Sequence, residues 1–300
     1  MNRLRRGRIA TSAVFLLFGV ALGVWTARIP AVKEGLALSD GWLSIALLAF
    51  AAGCIAGMML IGRLTDRFGS SRVMIPAALL EGVLLIGPGI SDGLVTLSVA
   101  LFVFGAVHGT LNIAMNANAA EIERELGRPV MSSFHAIYSI GGFLGAMLGS
   151  LFAHAEVSVG STLIAVGLAV LAVAAWASTW VLHSRPVAVA DQEPFTKSGL
   201  LVFYGVVVLC TLVGEGAAAD WSAVHLRDEV LTSEGSAAYG YAAFAILMTF
   251  GRLVGDRAAG RFGPVPVTRA GGVLAAAGLG AGLLLAHPVA VIAGWGVFGL

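Results

Sequence analysis

Nine apolar runs of about twenty residues, set along one chain, restrict what this sequence can become more than any other feature. A helix rises about 1.5 Å per residue and a bilayer's hydrocarbon core is about 30 Å thick, so about twenty residues carry a helix across. The runs lie roughly at 9–29, 43–62, 73–90, 94–116, 132–153, 161–182, 199–219, 236–254 and 267–286. Lipid gives backbone N–H and C=O groups no partner, so segments of this length cross as helices. Composition agrees, with 58% hydrophobic and 12% charged residues among 300, against about 25% charged in soluble domains. The chain reads as an all-α integral membrane protein. Cys54 and Cys210 each fall inside a run, as packing residues rather than a disulfide.

The first run follows Arg3, Arg5, Arg6 and Arg8. It exceeds the h-region of about 7–15 residues found in signal peptides, and no small-residue cleavage site follows, so it is expected to remain as the first span. With the N-terminus on the cytoplasmic side, fifteen of the eighteen Lys and Arg residues lie there, leaving Arg28, Lys33 and Arg227 outside. That asymmetry sets the orientation. Pro30, Gly41, Pro88-Gly89, Pro129, Pro186, Pro264 and Pro288 punctuate the connections, as helix-stopping residues do. The polar stretch 183–198 is expected to link a six-helix half, 1–182, to a second half, 199–300, holding spans seven to nine and part of a tenth. Val289–Leu300 is apolar but only twelve residues long, so the chain is expected to stop inside that tenth span, after about nine and a half helices.

A charged segment recurs in the two halves. Gly62-Arg63-Leu64-Thr65-Asp66-Arg67-Phe68-Gly69-Ser70-Ser71-Arg72 stands between spans two and three. A weaker copy, Gly251-Arg252-Leu253-Val254-Gly255-Asp256-Arg257, stands between spans eight and nine. Recurrence of this kind marks a chain built twice from one multi-helix unit.

Gly-x-x-x-Asp-Arg-x-Gly followed by arginine resembles the signature loop of the major facilitator superfamily of secondary transporters. Gly62, Asp66, Arg67 and Gly69 match it in position; Arg72 falls one residue late, with Ser70-Ser71 where the basic pair begins. Trp25 through Pro30, His108 through Asn116 and Ala219 through Ser222 resemble a bacterial branch of carriers loosely related to the fucose-permease and sugar-efflux groups. The resemblance implies two six-helix bundles related by a pseudo-two-fold axis, in the bacterial inner membrane. It also implies a monomer that moves a small polar solute by alternating access. In such proteins the loop latches the two halves, a role carried here to Gly62, Asp66, Arg67, Gly69 and Arg72, with Asp256 and Arg257 in the copy. The competing reading is that the arginines only hold the topology, although arginine alone would leave Asp66 without a purpose.

Polar side chains inside spans are expensive and usually face the bundle interior. One group, counted from span ends, is outer: Trp25 and Arg28 on span one, with Glu215, Asp220 and Trp221 on span seven. Gly214 and Gly216 flank Glu215 and are expected to loosen that helix. A pair of Arg28 with Asp220 or Glu215 would gate the outer side or bind a charged solute; snorkelling of Arg28 and Asp220 to water is the alternative. A second group is inner: His108, Asn112 and Asn116 recur every four residues on one face of span four, and His135, Tyr138 and Ser139 open span five. They offer donors and acceptors for a hydroxyl- or amide-bearing solute, or bonds that merely hold helices together. Glu81, near the middle of span three, and Glu215 are candidate proton carriers, so proton coupling is an expectation; for Glu81 a packing contact is equally plausible. Gly141, Gly145 and Gly149 form a small-residue stripe for close packing.

No hydrolase elbow, zinc-protease or phosphate-loop motif is present, so no enzyme, cofactor or metal is expected, and the spread of basic residues does not organise a nucleic-acid site. The partners expected are lipid, a small polar solute and protons. A transport-inactive sensor with the same fold, or a truncated product, is the alternative.

Overall fold

The computed structural model describes residues 3–182, 199–231 and 234–300, without the side chains at 60, 62, 63, 66, 219–221, 223, 224, 227, 228 and 234–238. These residues form ten α-helices and one 3-10 turn. The helices are α1 (Arg3–Gly35), α2 (Asp40–Phe68), α3 (Ser70–Leu84), α4 (Leu94–Leu126), α5 (Met131–His154), α6 (Val159–Ser178), α7 (Gly199–Asp228), α8 (Glu234–Phe262), α9 (Pro264–Leu285) and α10 (Pro288–Phe298). Eight described helical segments are long and apolar enough to cross a membrane. α8, expected as a span, is not one of these eight, although its 29 residues reach about 44 Å. The chain divides into two compact units, Met1–Val189 and Ala190–Leu300. The stretch 183–198 expected as their linker lies outside the described residues.

In the first unit α1 packs chiefly on α5, α2 on α4, and α3 against both α4 and α6. Glycines set the two closest approaches. A Cβ on Gly145 of α5 would overlap the Val20 carbonyl of α1, and one on Gly109 of α4 would overlap the Cys54 carbonyl of α2. The small-residue stripe therefore does what its spacing implied, bringing backbones together where lipid offers no hydrophobic drive. In the second unit α8 on α10 and α9 on α10 repeat the pairings of α2 on α4 and α3 on α4.

Two expectations change. Pro30 does not end the first helix, which continues to Gly35. Pro30 removes one hydrogen bond of the helical ladder, and the helix runs on for five residues beyond it. The charged segments are also not turns. Gly62–Phe68 is the end of α2 and Ser70 begins α3, so the break is the single residue Gly69, at φ 86° and ψ 151°. Gly251–Arg257 lies wholly inside α8, and the matching break is Gly263, at φ 85° and ψ 154°. Only glycine adopts that backbone readily. Each break follows an Arg-Phe pair in which the guanidinium sits 5.3 Å over the phenyl ring, Arg67 on Phe68 and Arg261 on Phe262. The triplet Arg-Phe-Gly is thus the repeat that the fold recognises, and it was visible in the sequence.

Candidate functional site

The polar side chains of the first unit separate into three groups at different depths of burial. The most open lies across α4 and α5. Asn116 Nδ2 donates to the Asn112 carbonyl at 2.8 Å and to its side-chain oxygen at 3.2 Å. His135 Nε2 lies 3.1 Å from Asn116 Oδ1. Tyr138 follows one turn after His135, and all four side chains are half-buried. Phe15 and Phe18 of α1 border them, Phe15 edge-on to His135 and Phe18 tilted against Tyr138. The face therefore joins two amides, an imidazole and a phenol to aromatic surface. A cavity of about 340 Å³ between α1, α5 and α6 is a separate feature, lined by apolar side chains such as Leu16, Val20 and Phe152.

The second group is sealed. His108, expected beside Asn112 and Asn116, turns toward α3, where its Nδ1 lies 2.6 Å from Glu81 Oε1. Glu81 has no exposed surface and His108 keeps 6%. Phe18 stacks on the imidazole with centroids 3.8 Å apart and planes 11° from parallel, and Phe50 and Phe104 enclose the ring. Sequence spacing placed His108 on a shared helix face but could not show that α3 covers one end of that face.

The third group was missed. Thr11 Oγ1 donates to Asn118 Oδ1 at 2.7 Å, and Asn118 Nδ2 donates to Ser70 Oγ at 3.1 Å and to the Leu182 carbonyl at 3.3 Å. This buried knot ties α1, α3, α4 and the chain just beyond α6. It also explains why serine stands where the signature begins its basic pair: Ser70 and Ser71 are both 2% exposed, which excludes an arginine. An asparagine two residues after Asn116 faces away from the Asn112 stripe, and that was the available signal.

Trp25 and Arg28 are buried in the first unit, and Arg28 Nη2 donates to the Val157 carbonyl at 2.6 Å. Lys33 and Asp40 form an exposed ion pair across the α1–α2 connection. In the second unit α7 runs unbroken through Gly214, Glu215 and Gly216, so the expected loosening is absent there. Glu215 lies 3.8 Å from Arg252 of the second charged segment. Depth counted from span ends had put these two on opposite sides of the membrane. Both helices overrun their apolar runs, and so mid-helix meets mid-helix. Arg67, Arg72 and Arg257 are exposed and Asp256 is half-buried. The side chains of Asp66, Asp220 and Trp221 lie outside the described residues. No group of three or more potential metal ligands occurs among the described residues.

Two compact units of membrane-length helices, partly repeating one another's pairings and carrying polar side chains inside the bundle, define a polytopic protein of transporter architecture. The Major Facilitator Superfamily profile matches residues 9–300, and the chain belongs to that family. It is 36% identical over 289 residues to the uncharacterised transporter y4wD of Sinorhizobium fredii, covering 93% of this chain and 74% of that protein. It is 30% identical over 301 residues to an uncharacterised MFS-type transporter of Yersinia pestis, covering 97% and 76%. Among solved structures, its fold resembles an outward-conformation crystal structure of FucP, an MFS transporter, with a TM-score of 0.68 at 15% identity, covering 97% of this chain and 81% of that one. A second FucP structure, described as the E. coli fucose:proton symporter, matches with a TM-score of 0.65 at 16% identity, covering 97% and 80%. Membrane transport, not enzymatic catalysis, is the activity of this class.

Proposed function

We propose that the chain is a secondary active transporter that carries a small, uncharged, hydroxyl-rich solute across a bacterial inner membrane by alternating access. The carrying observation is the half-buried face of Asn112, Asn116, His135 and Tyr138 across α4 and α5. Amide and imidazole groups pair with hydroxyls in both directions, and the rings of Phe15 and Phe18 supply the apolar surface that a sugar ring covers. The fucose:proton symporter named among the fold relatives makes L-fucose a reasonable first probe. The N-terminus lies in the cytoplasm in this reading, the protein acts as a monomer, and Trp25, Arg28, Asp220 and Trp221 belong to the outer end of the pathway. The segment Gly62–Arg72, with Asp256 and Arg257, holds one end-state of the cycle. Proton coupling uses Glu81 or Glu215.

Uptake into proteoliposomes tests this. Radiolabelled L-fucose and a panel of neutral monosaccharides and amides are presented with and without a pH gradient. Saturable uptake of at least one solute, lost in Asn116→Ala, is expected. No flux of any solute refutes the transporter reading and leaves a transport-inactive protein with this fold.

A further inference from the structure

Glu81 and His108 form the most deeply enclosed ionisable pair among the described residues of the first unit, and the solute face does not need them. Their contact, Nδ1 to Oε1 at 2.6 Å, requires one hydrogen between the two atoms. With that hydrogen alone, an ionised Glu81 beside a neutral imidazole carries a net charge of −1. One more proton makes the pair neutral. Nothing described neutralises the charged form, and Glu81 Oε2 is buried without a hydrogen-bond partner. A buried charge without a partner is unfavourable.

The surroundings contain little else that titrates. α6 has no ionisable side chain, and α1 confines its charges to Arg3, Arg5, Arg6 and Arg8 at one end and Arg28, Lys33 and Glu34 at the other. α2 contributes the half-buried thiol of Cys54, within electrostatic reach of Glu81; its other charges are Asp40 and the segment from Arg63 onward. α3 itself adds only Arg72, nine residues or about 13 Å along the helix. α4 adds Glu121, Glu123, Arg124 and Glu125, about 20 Å or more along its axis. α5 presents His135 and Tyr138, on the solute face, and an exposed His154 in its last turn.

Resting on the transporter reading, we infer that Glu81 and His108 are a proton-binding site of the first unit, and that Phe18 relays its occupancy to Tyr138 on the solute face. His108 alone keeps some exposed surface, so the proton arrives at its Nε2. The hydrogen held at Nδ1 passes to Glu81 Oε1, the ring becomes its other neutral tautomer, and the pair gains one proton overall. Release reverses both moves. Phe18 contacts both sides, stacked on His108 at 3.8 Å and tilted against Tyr138 at 5.6 Å. A ring stacked face to face responds to the charge and tautomer of its neighbour. The site and the solute face thus share one aromatic group, Phe18.

Hydrogen–deuterium exchange of the full chain, in nanodiscs of phosphatidylethanolamine and phosphatidylglycerol, tests this without any solute. Exchange is compared at about pH 5.5 and about pH 8.5, with labelling times scaled for intrinsic exchange. Expected for the wild type is at least a twofold loss of protection around Glu81, His108 and Tyr138 at the higher pH. E81Q, which cannot become the anion, shows no such change. A wild type indifferent to pH, or an E81Q that keeps the full response, overturns the site. F18L is expected to keep the response at Glu81 and lose it at Tyr138; a surviving Tyr138 response overturns the relay. If E81Q does not fold, E81L, which likewise cannot become the anion, takes its place with the same expected outcome. In L-fucose proteoliposomes, E81Q is expected to lower gradient-driven accumulation at least tenfold more than equilibrium exchange, and equal losses count against coupling. If the wild type carries none of the probes, the transport reading fails, while the exchange data still decide the proton site.

Discussion

Replacing Asn118 with alanine removes three hydrogen bonds at once from the inside of the first unit. Thr11 and Asn118 are fully buried and Ser70 is 2% exposed, so water cannot substitute. Interhelical side-chain bonds in membrane proteins average about 0.6 kcal/mol and reach about 1.7. Three of them put the loss at about 2–5 kcal/mol, the upper part applying because the buried Thr11 hydroxyl is left without its acceptor. Asn112→Ala is the control: its side chain is half-buried and bonds within its own helix, so a loss under about 1 kcal/mol is expected. Asn118→Leu separates hydrogen bonding from cavity formation, since it nearly restores the volume but none of the bonds. The assay is unfolding of the full chain in mixed micelles, followed by near-ultraviolet circular dichroism. An Asn118→Ala variant no less stable than Asn112→Ala refutes the knot. An Asn118→Leu variant as stable as wild type shows that volume, not hydrogen bonding, holds that region.

Gly145→Ala is expected to destabilise by at least about 1–3 kcal/mol in the same assay, because the new methyl meets backbone on α1 and neither helix can yield alone. Gly205→Ala in α7, with no neighbour within 4 Å, is expected to be neutral or to stabilise by up to about 1 kcal/mol; the reverse order sinks the packing argument. Gly263→Ala is expected to cost about 1–3 kcal/mol through its backbone conformation alone, since the nearest atom to a new Cβ is Pro266 Cδ at 3.7 Å; wild-type thermal stability shows that the break tolerates a side chain. Asp66→Asn is expected to reduce solute flux several-fold while leaving membrane insertion intact, and wild-type flux rules out the latch.

Most of the helices were legible because hydrophobic run length needs no tertiary information. A twenty-residue apolar stretch has one solution in lipid, and the crossings from α1 to α7 and α9 appear where the runs are. The glycine stripe on α5 was legible for a similar reason: spacing by four puts residues on one face, and only small residues admit a second backbone. The solute-facing stripe was half legible. Asn112 and Asn116 share a face, as their spacing requires, and His135 reaches Asn116 from α5. Helical spacing could not show that α3 covers His108 or that Asn118, on another face, meets two helices and a carbonyl.

By itself, the sequence determined that this protein lives in a bilayer, that its chain repeats a multi-helix unit, and that its family is one of transporters. Those properties depend on local hydrophobicity, charge asymmetry and a short motif, none of which needs a neighbour. Tertiary structure alone decided that the first charged segment ends α2 at Gly69 while its copy lies inside α8, whose break comes at Gly263, that Glu215 meets Arg252, and that Glu81 meets His108. Counting from a span's end gives a residue's approximate height, but its rotation and partner depend on which helix packs against it. The contact of Glu81 with His108 is a property of two helices, and neither one encodes it alone.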